Sequence, residues 1–219
     1  MAASATALPG NSRSGARQRV AILGAGVSGQ AAKRLVLALG GEVCVFDQAG
    51  RGDRRQFDAQ CLHAFDCFIF SPGFASQHPW RVLVADARRP CYSELAYAAQ
   101  YWRGQLLAVT GTNGKTSLTA LLCAALKRAG HPAIAAGNIG APLSDAVAQA
   151  INQRHAYAVC EISSFQAELS DGLRLDALLW TNFAEDHLDR YASQADYFAA
   201  KQKLCGPAAP AGPSGSDPN

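Results

Sequence analysis

The sequence predicts an α/β protein built from two successive, doubly wound parallel sheets, and three observations predict it. From Arg19 onward short apolar runs alternate with helical stretches. Two of those runs lead through glycine-containing turns straight into helices, at Gly24-Ala25-Gly26-Val27-Ser28-Gly29 and at Thr110-Gly111-Thr112-Asn113-Gly114-Lys115-Thr116-Ser117. With 49% hydrophobic and 17% charged residues, the 219-residue chain can also bury the core that such sheets require.

The elements follow in order. Residues 1–18 are rich in Ala, Ser, Gly and Arg and read as a disordered leader. Strands are expected at Val20-Ala21-Ile22-Leu23, Val43-Cys44-Val45-Phe46 and Cys67-Phe68-Ile69-Phe70, with a crossover helix over Gln30–Leu39 ended by Gly40-Gly41. A helix near Ser93–Trp102 closes this first unit, 19–98. The second unit, 99–205, opens on the strand Leu106-Leu107-Ala108-Val109 and the helix that follows the second turn. Further strands are expected at 133–135, 156–160 and 177–180, and further helices at Pro142–Ile151 and Gln194–Leu204. Residues 206–219, with four prolines, three glycines and no large apolar side chain, read as a disordered tail.

Several function classes are disfavoured. A net charge of +3, spread along the chain, does not argue for nucleic acid. No apolar stretch approaches a membrane span, and the leader lacks the apolar core of a secretory signal. Seven cysteines without a C-x-x-C pair read as reduced thiols, mostly buried, in a cytoplasmic protein.

The second turn describes a phosphate cradle. A strand, a tight turn and a helix N-terminus aim backbone N–H groups and the positive end of the helix dipole at an anion. Gly111, Thr112, Asn113, Gly114, Lys115, Thr116 and Ser117 are its candidate ATP-binding residues, with Lys115 a point charge for the outer phosphates and Thr116 a hydroxyl for Mg²⁺. Val109 stands where the commoner form of this motif has its first glycine. Glu161, at the end of a neighbouring strand, offers a second oxygen ligand to the same hard cation. Asn138, in Gly137-Asn138-Ile139-Gly140, can donate and accept toward a ligand, although a helix-capping turn explains it equally well. His187 lies in the polar run 181–191 after the last strand, where it could ligate metal or orient phosphate.

The first turn is a full G-x-G-x-x-G, with Asp47 ending the next strand and Ser71-Pro72-Gly73 following the third on the same sheet edge. That geometry suits a nucleotide-containing ligand and makes the first unit Rossmann-like. An NAD-dependent oxidoreductase would use the same turn but leaves Lys115 unexplained.

In order, Gly-Thr-Asn-Gly-Lys-Thr, Gly-Asn-Ile-Gly, Glu-Ile-Ser-Ser-Phe-Gln and Asn-Phe-x-x-Asp-His-Leu-Asp-Arg-Tyr resemble the Mur ligase family, over about Arg19–Leu204. The hexapeptide Glu161–Gln166, the Ser-Pro-Gly turn and the short first unit look like the branch of that family that adds D-glutamate. The resemblance implies a Rossmann-like UDP-binding domain, then a P-loop-type central ATP-binding domain that is incomplete here. It implies an ATP-dependent amide-bond ligase of peptidoglycan synthesis, hence of cell-wall biogenesis, cell shape and division. Its substrates would be UDP-N-acetylmuramoyl-L-alanine, ATP and D-glutamate, and the enzyme would be a monomer. By the same resemblance Lys115, His187 and Lys201 are catalytic, and Thr116, Glu161, His187 and Lys201 hold metal, with Lys201 carbamylated. Val27, Ser28, Asp47, Gln48, Ser71, Gly73 and Asn138 would meet the UDP-sugar. Family members carry a third domain that this sequence lacks, so the chain alone is expected not to complete ligation. A different stem-peptide ligase of the family, a folylpolyglutamate-type ligase and a non-catalytic binding module are the competing readings.

Overall fold

The computed structural model describes residues 17–186 and 189–206. The expected leader (apart from residues 17 and 18), the expected tail (apart from Gly206), and His187 lie outside the described residues.

The chain folds as two parallel sheets with helices between strands. The first unit runs β1 (Arg19–Leu23), α1 (Val27–Ala38), β2 (Glu42–Phe46), a 3₁₀ turn (Ala59–Ala64), β3 (Cys67–Phe70), α2 (Pro79–Asp86), β4 (Cys91–Ser93) and α3 (Glu94–Ala99). Its strands are ordered β2-β1-β3-β4, all parallel. The second unit runs β5 (Gln105–Thr110), α4 (Lys115–Arg128), β6 (Ala133–Gly137), α5 (Leu143–Val147), β7 (Tyr157–Glu161), α6 (Ser164–Ala167), β8 (Ala177–Trp180) and α7 (Gln194–Gln202). Its order is β6-β7-β5-β8, again all parallel. The strand after each glycine turn's own strand lies beyond a crossover, so both turns open at carboxyl ends of strands, where such sheets bind ligands.

Several boundaries differ from expectation for local reasons. Helix α1 starts at Val27, not Gln30, because Gly29 lies inside its first turn. A Cβ there would sit 1.9 Å from the Gly24 carbonyl oxygen, so helix and turn touch only through glycine. The short β4 was unforeseen: three residues are too few for periodicity to register. Its last residue, Ser93, caps α3 instead of belonging to it, its Oγ accepting the Ala96 N–H at 3.1 Å. Helix α2 was also unforeseen; Pro79 pre-sets its first turn and the His78 ring accepts the Trp80 N–H at 3.2 Å. Helix α5 is shorter than expected and ends at Val147. Strand β7 extends to include Glu161.

One face of the first sheet buries an aromatic cluster in which Phe46, Phe57, Phe65, Phe68 and Trp80 meet edge to face. On the other face a single core continues across both units, joining Val20, Ile22 and Leu35 to Leu106, Leu143, Val147 and Ala158. Helix α5 packs on α1 and α3. Arg34 on α1 donates to both carboxylate oxygens of Asp145 on α5, each at 2.9 Å. The connection between the sheets is held by Asn152. Its Oδ1 accepts the Arg103 N–H at 2.7 Å, and its Nδ2 donates to the carbonyls of Tyr101 and Val147, each at 3.0 Å. The thiols are free, but only Cys67, Cys123 and Cys160 are fully buried, and Cys205 is exposed, so burial is less general than expected. Among the described residues no helix is long and apolar enough to cross a membrane.

Candidate active site

The loop between β5 and α4 is shaped by two glycines. Gly114 caps α4 with a left-handed φ of 77°. Gly111 has φ 133°, and a Cβ on it would meet Thr181 Oγ1 at 2.0 Å. The chain leaving β8 grips this loop. The Thr112 N–H donates to the Asn182 carbonyl at 3.0 Å, and the Asn113 N–H to Asn182 Oδ1 at 3.0 Å. Thr181 Oγ1 donates to the Asn113 carbonyl at 2.7 Å, while the Ala184 N–H donates to Thr112 Oγ1 at 3.0 Å. The loop is thus held open from behind, with the first-turn N–H groups of α4 at its mouth.

Four predicted residues converge here. Thr116 Oγ1 donates to Glu161 Oε2 at 2.8 Å, and Asn138 Nδ2 donates to Glu161 Oε1 at 2.7 Å. Glu161 is only 1% exposed. The approach of the Asn138 turn depends on Gly137, where a Cβ would meet the Glu161 carbonyl oxygen at 2.3 Å. Lys115 folds back over the loop, Nζ donating to the Thr112 carbonyl at 2.6 Å.

Lys201 reaches the same loop from below. It is 1% exposed, and its Nζ donates to the Gly111 carbonyl at 2.9 Å. The Tyr197 ring lies 4.9 Å from that nitrogen. Burial, reinforced by repulsion from Lys115 and opposed by Asp186 and Glu161, pushes the amine down to about 8. A lysine in that state is a neutral nucleophile for an appreciable fraction of the time at neutral pH.

The donor set suits a hard divalent cation. Mg²⁺ takes oxygen ligands, keeps several waters and is commonly bound through one or two carboxylates plus phosphate oxygens. Thr116 and Glu161 supply a hydroxyl and a carboxylate already in contact. Among the described residues there is no group of three His, Cys, Asp or Glu that could cage a metal alone.

The first sheet carries the other predicted set on its carboxyl edge. Ser71 Oγ donates to the Gly24 carbonyl at 3.2 Å, which links the Ser-Pro-Gly turn to the glycine turn. Gly24 has φ 105°, and a Cβ there would lie 2.6 Å from Ser71 Oγ. Asp47 is buried and turned inward: its carboxylate accepts the Ala25 N–H at 2.9 Å and the Ala49 N–H at 3.0 Å, and pairs with Arg51 at 3.3 Å. The Ala25 bond, helped by Arg51 against burial, holds its carboxyl below the usual range. Val27, Gln48 and Gly73 are exposed and Ser28 half-buried on that edge.

Residues 109–212 match the family model of the Mur ligase middle domain. That stretch of the chain is similar to a Mur ligase middle domain. Relatives extend the match into the first unit. The UDP-N-acetylmuramoylalanine--D-glutamate ligase of Leptospira interrogans is 31% identical over 193 residues, covering 85% of this chain and 41% of that protein. The ligase of the same name from Desulfotalea psychrophila is 36% identical over 207 residues, covering 84% of this chain and 43% of its own length. The chain therefore spans less than half the length of these curated relatives. Among solved structures it resembles a UDP-N-acetylmuramate:L-alanyl-gamma-D-glutamyl-meso-diaminopimelate ligase from Neisseria meningitides, with a TM-score of 0.53 and 18% identity over 86% of this chain and 68% of that one. That likeness is one of fold.

Within the matched residues, sequence reasoning missed Glu168, which is buried and accepts from Tyr191 Oη at 2.8 Å and from Arg190 Nε and Nη2, each at 3.3 Å. Arg81 of the first unit donates to the same carboxylate. Burial alone would raise the Glu168 carboxyl, but bonds from Arg81, Tyr191 and Arg190 outweigh it and hold it below the usual range. A single Glu in a short helical stretch carried no signal; only the partners reveal it. Tyr197, whose hydroxyl lies 3.3 Å from Thr112 Oγ1, was missed likewise.

Proposed function

We propose that this chain supplies the uridine-nucleotide and ATP-phosphate sites of the ligase that joins D-glutamate to UDP-N-acetylmuramoyl-L-alanine in the cytoplasm. The observation that carries this reading is the buried Glu161 carboxylate, shared between Thr116 of the P-loop-type helix and Asn138 of the neighbouring strand end. It joins a phosphate-and-metal site to an amide that can face an acceptor substrate. Similarity to the UDP-N-acetylmuramoylalanine--D-glutamate ligases supports these substrates.

A carboxylate is a poor electrophile, so the reaction needs activation. The substrate carboxylate attacks the γ-phosphorus of ATP, the bond to ADP breaks, and an acyl phosphate forms. The D-glutamate amine then attacks the acyl carbon, loses a proton and expels phosphate. Lys115 and the first-turn N–H groups of α4 hold the phosphates in line. Thr116 and Glu161 would hold Mg²⁺, with His187 and a carbamylated Lys201 serving a second ion; bound metal supplies neutralisation of phosphate charge. The lowered amine of Lys201 suits carbamylation, in which Nζ adds to CO₂ and sheds a proton. Val27, Ser28, Asp47, Gln48, Ser71 and Gly73 line the uridine side, and Asn138 meets the sugar-linked end. The unit works as a monomer, without nucleic acid or membrane.

Calorimetric titration with UDP-N-acetylmuramoyl-L-alanine, Mg·ATP and NAD tests this. The first two should bind and NAD should not. Tighter binding of NAD than of the UDP-sugar would overturn it.

A further inference from the structure

The segment leaving β8 touches both ligand edges. At its start Asn182 and Ala184 bond Thr112 and Asn113 of the P-loop. Further along, Arg190 crosses to the first unit. Its Nη1 donates to the Pro72 carbonyl at 2.9 Å and its Nη2 to the Phe74 carbonyl at 3.0 Å, so the guanidinium grips the main chain on either side of Gly73. The Phe165 ring lies 3.9 Å beneath it. Glu168 neutralises it, and Arg81 donates both to Glu168 and, at 3.0 Å, to the same Phe74 carbonyl. The side chains of Arg81, Glu168 and Arg190 are about nine-tenths buried.

We propose that Arg190 is a positioning residue for the UDP-linked substrate, fixing the Ser71-Pro72-Gly73 turn in register with the P-loop through the carbonyls of Pro72 and Phe74. The turn is otherwise held by the Ser71 N–H to Leu23 carbonyl bond at 2.9 Å, the Ser71 Oγ bond to Gly24, its own Phe74 N–H to Ser71 carbonyl bond at 3.2 Å and Arg81 on the Phe74 carbonyl. Of these groups Arg190 reaches the Pro72 carbonyl and belongs to the segment that also bonds the P-loop. Its planar fork ties the turn to that segment, because two carbonyls and a carboxylate bind one rigid group. This rests on the reading that the turn meets a UDP-sugar and the P-loop meets ATP.

The test compares wild type with Arg190→Lys, which keeps the charge but not the fork. Affinities are measured for UDP-N-acetylmuramoyl-L-alanine and for Mg²⁺ with a non-hydrolysable ATP analogue, alongside amide hydrogen exchange. The variant should bind the UDP-sugar about tenfold more weakly and the ATP analogue within about twofold of wild type. Exchange should quicken at residues 73–75 and stay unchanged along α4, a pattern that a general loss of stability does not produce. Glu168→Gln, which removes the charge and keeps one of the two acceptor oxygens, should give the same selective loss at about threefold, and it decides the matter if Arg190→Lys does not fold. Equal weakening of both ligands, or of neither, overturns the positioning role alone. A folded wild type that binds no UDP-sugar overturns the proposed function, and this role with it.

Discussion

The Glu94 carboxylate accepts the Ser144 backbone N–H at 2.7 Å, so an acid on α3 of the first unit caps α5 of the second. Pro142, at the N-cap of α5, has no side chain to do so. Glu94 is 3% exposed, and burial, aided by Asp145 and only partly opposed by Ser144, raises its carboxyl above the usual range. The folded chain therefore binds a proton more readily here than the unfolded chain, and this group's contribution to stability falls as pH rises through the folded value. Glu94→Gln keeps the acceptor and should flatten that fall, matching the parent in mild acid and exceeding it at pH 8. Glu94→Ala leaves the Ser144 N–H bare and should cost about 1–3 kcal/mol. Denaturant melts across pH check both, and a Gln variant weaker than the parent at pH 8 contradicts the assignment.

Gly111 and Gly114 should respond differently to alanine. Both have positive φ, but a Cβ meets nothing within 4 Å at Gly114, whereas Thr181 Oγ1 lies 2.0 Å away at Gly111. Gly114→Ala should cost about 1–2 kcal/mol from backbone strain alone. Gly111→Ala should cost more and detach the chain after β8 from the loop. Equal melting losses for the two would refute the steric distinction.

Lys115→Ala should lower Mg·ATP affinity about 100-fold, roughly 2.7 kcal/mol, with little change in melting temperature. Its Nζ donates to the Thr112 carbonyl, and the side chain is only half-buried. Unchanged affinity at equal stability would remove the phosphate-cradle reading.

Lys201 gives the opposite pH signature to Glu94. Its amine is depressed to about 8, so the unfolded chain binds the proton more readily, and stability contributed by this site rises with pH above that value. In CO₂-free buffer Lys201→Met should therefore compare best with the parent below pH 8, and its advantage should shrink toward pH 10. A difference that stays constant across that range would show the amine to be unperturbed in the fold.

Much of this was legible in the sequence because the signals are local. Continuous apolar runs such as Val20–Leu23 and Leu106–Val109 announce buried parallel strands, and the glycines at 24, 111 and 114 announce turns that only glycine fits. Thr116, Glu161 and Asn138 could be nominated singly, since each ends or follows an element of recognisable period, whereas Lys201 came only from the family resemblance. Their convergence is a product of strand order, which places β7 between β5 and β6. What escaped notice is non-local: Glu168 acquires meaning only through Arg81 and Arg190, which lie 87 and 22 residues away in sequence. Asp47, expected to meet the UDP-sugar, also accepts the Ala25 and Ala49 N–H groups of its own neighbourhood, which spacing cannot foretell.

The hold of Asn152 on the connection between the sheets has a mechanical consequence. A single amide side chain splints Tyr101, Arg103 and Val147, and beneath it one apolar core runs unbroken through both units. Among the described residues this core leaves no loose joint at which one sheet could melt and leave the other standing. Heat should meet a single cooperative block, and calorimetry should record one endotherm whose calorimetric and van't Hoff enthalpies agree.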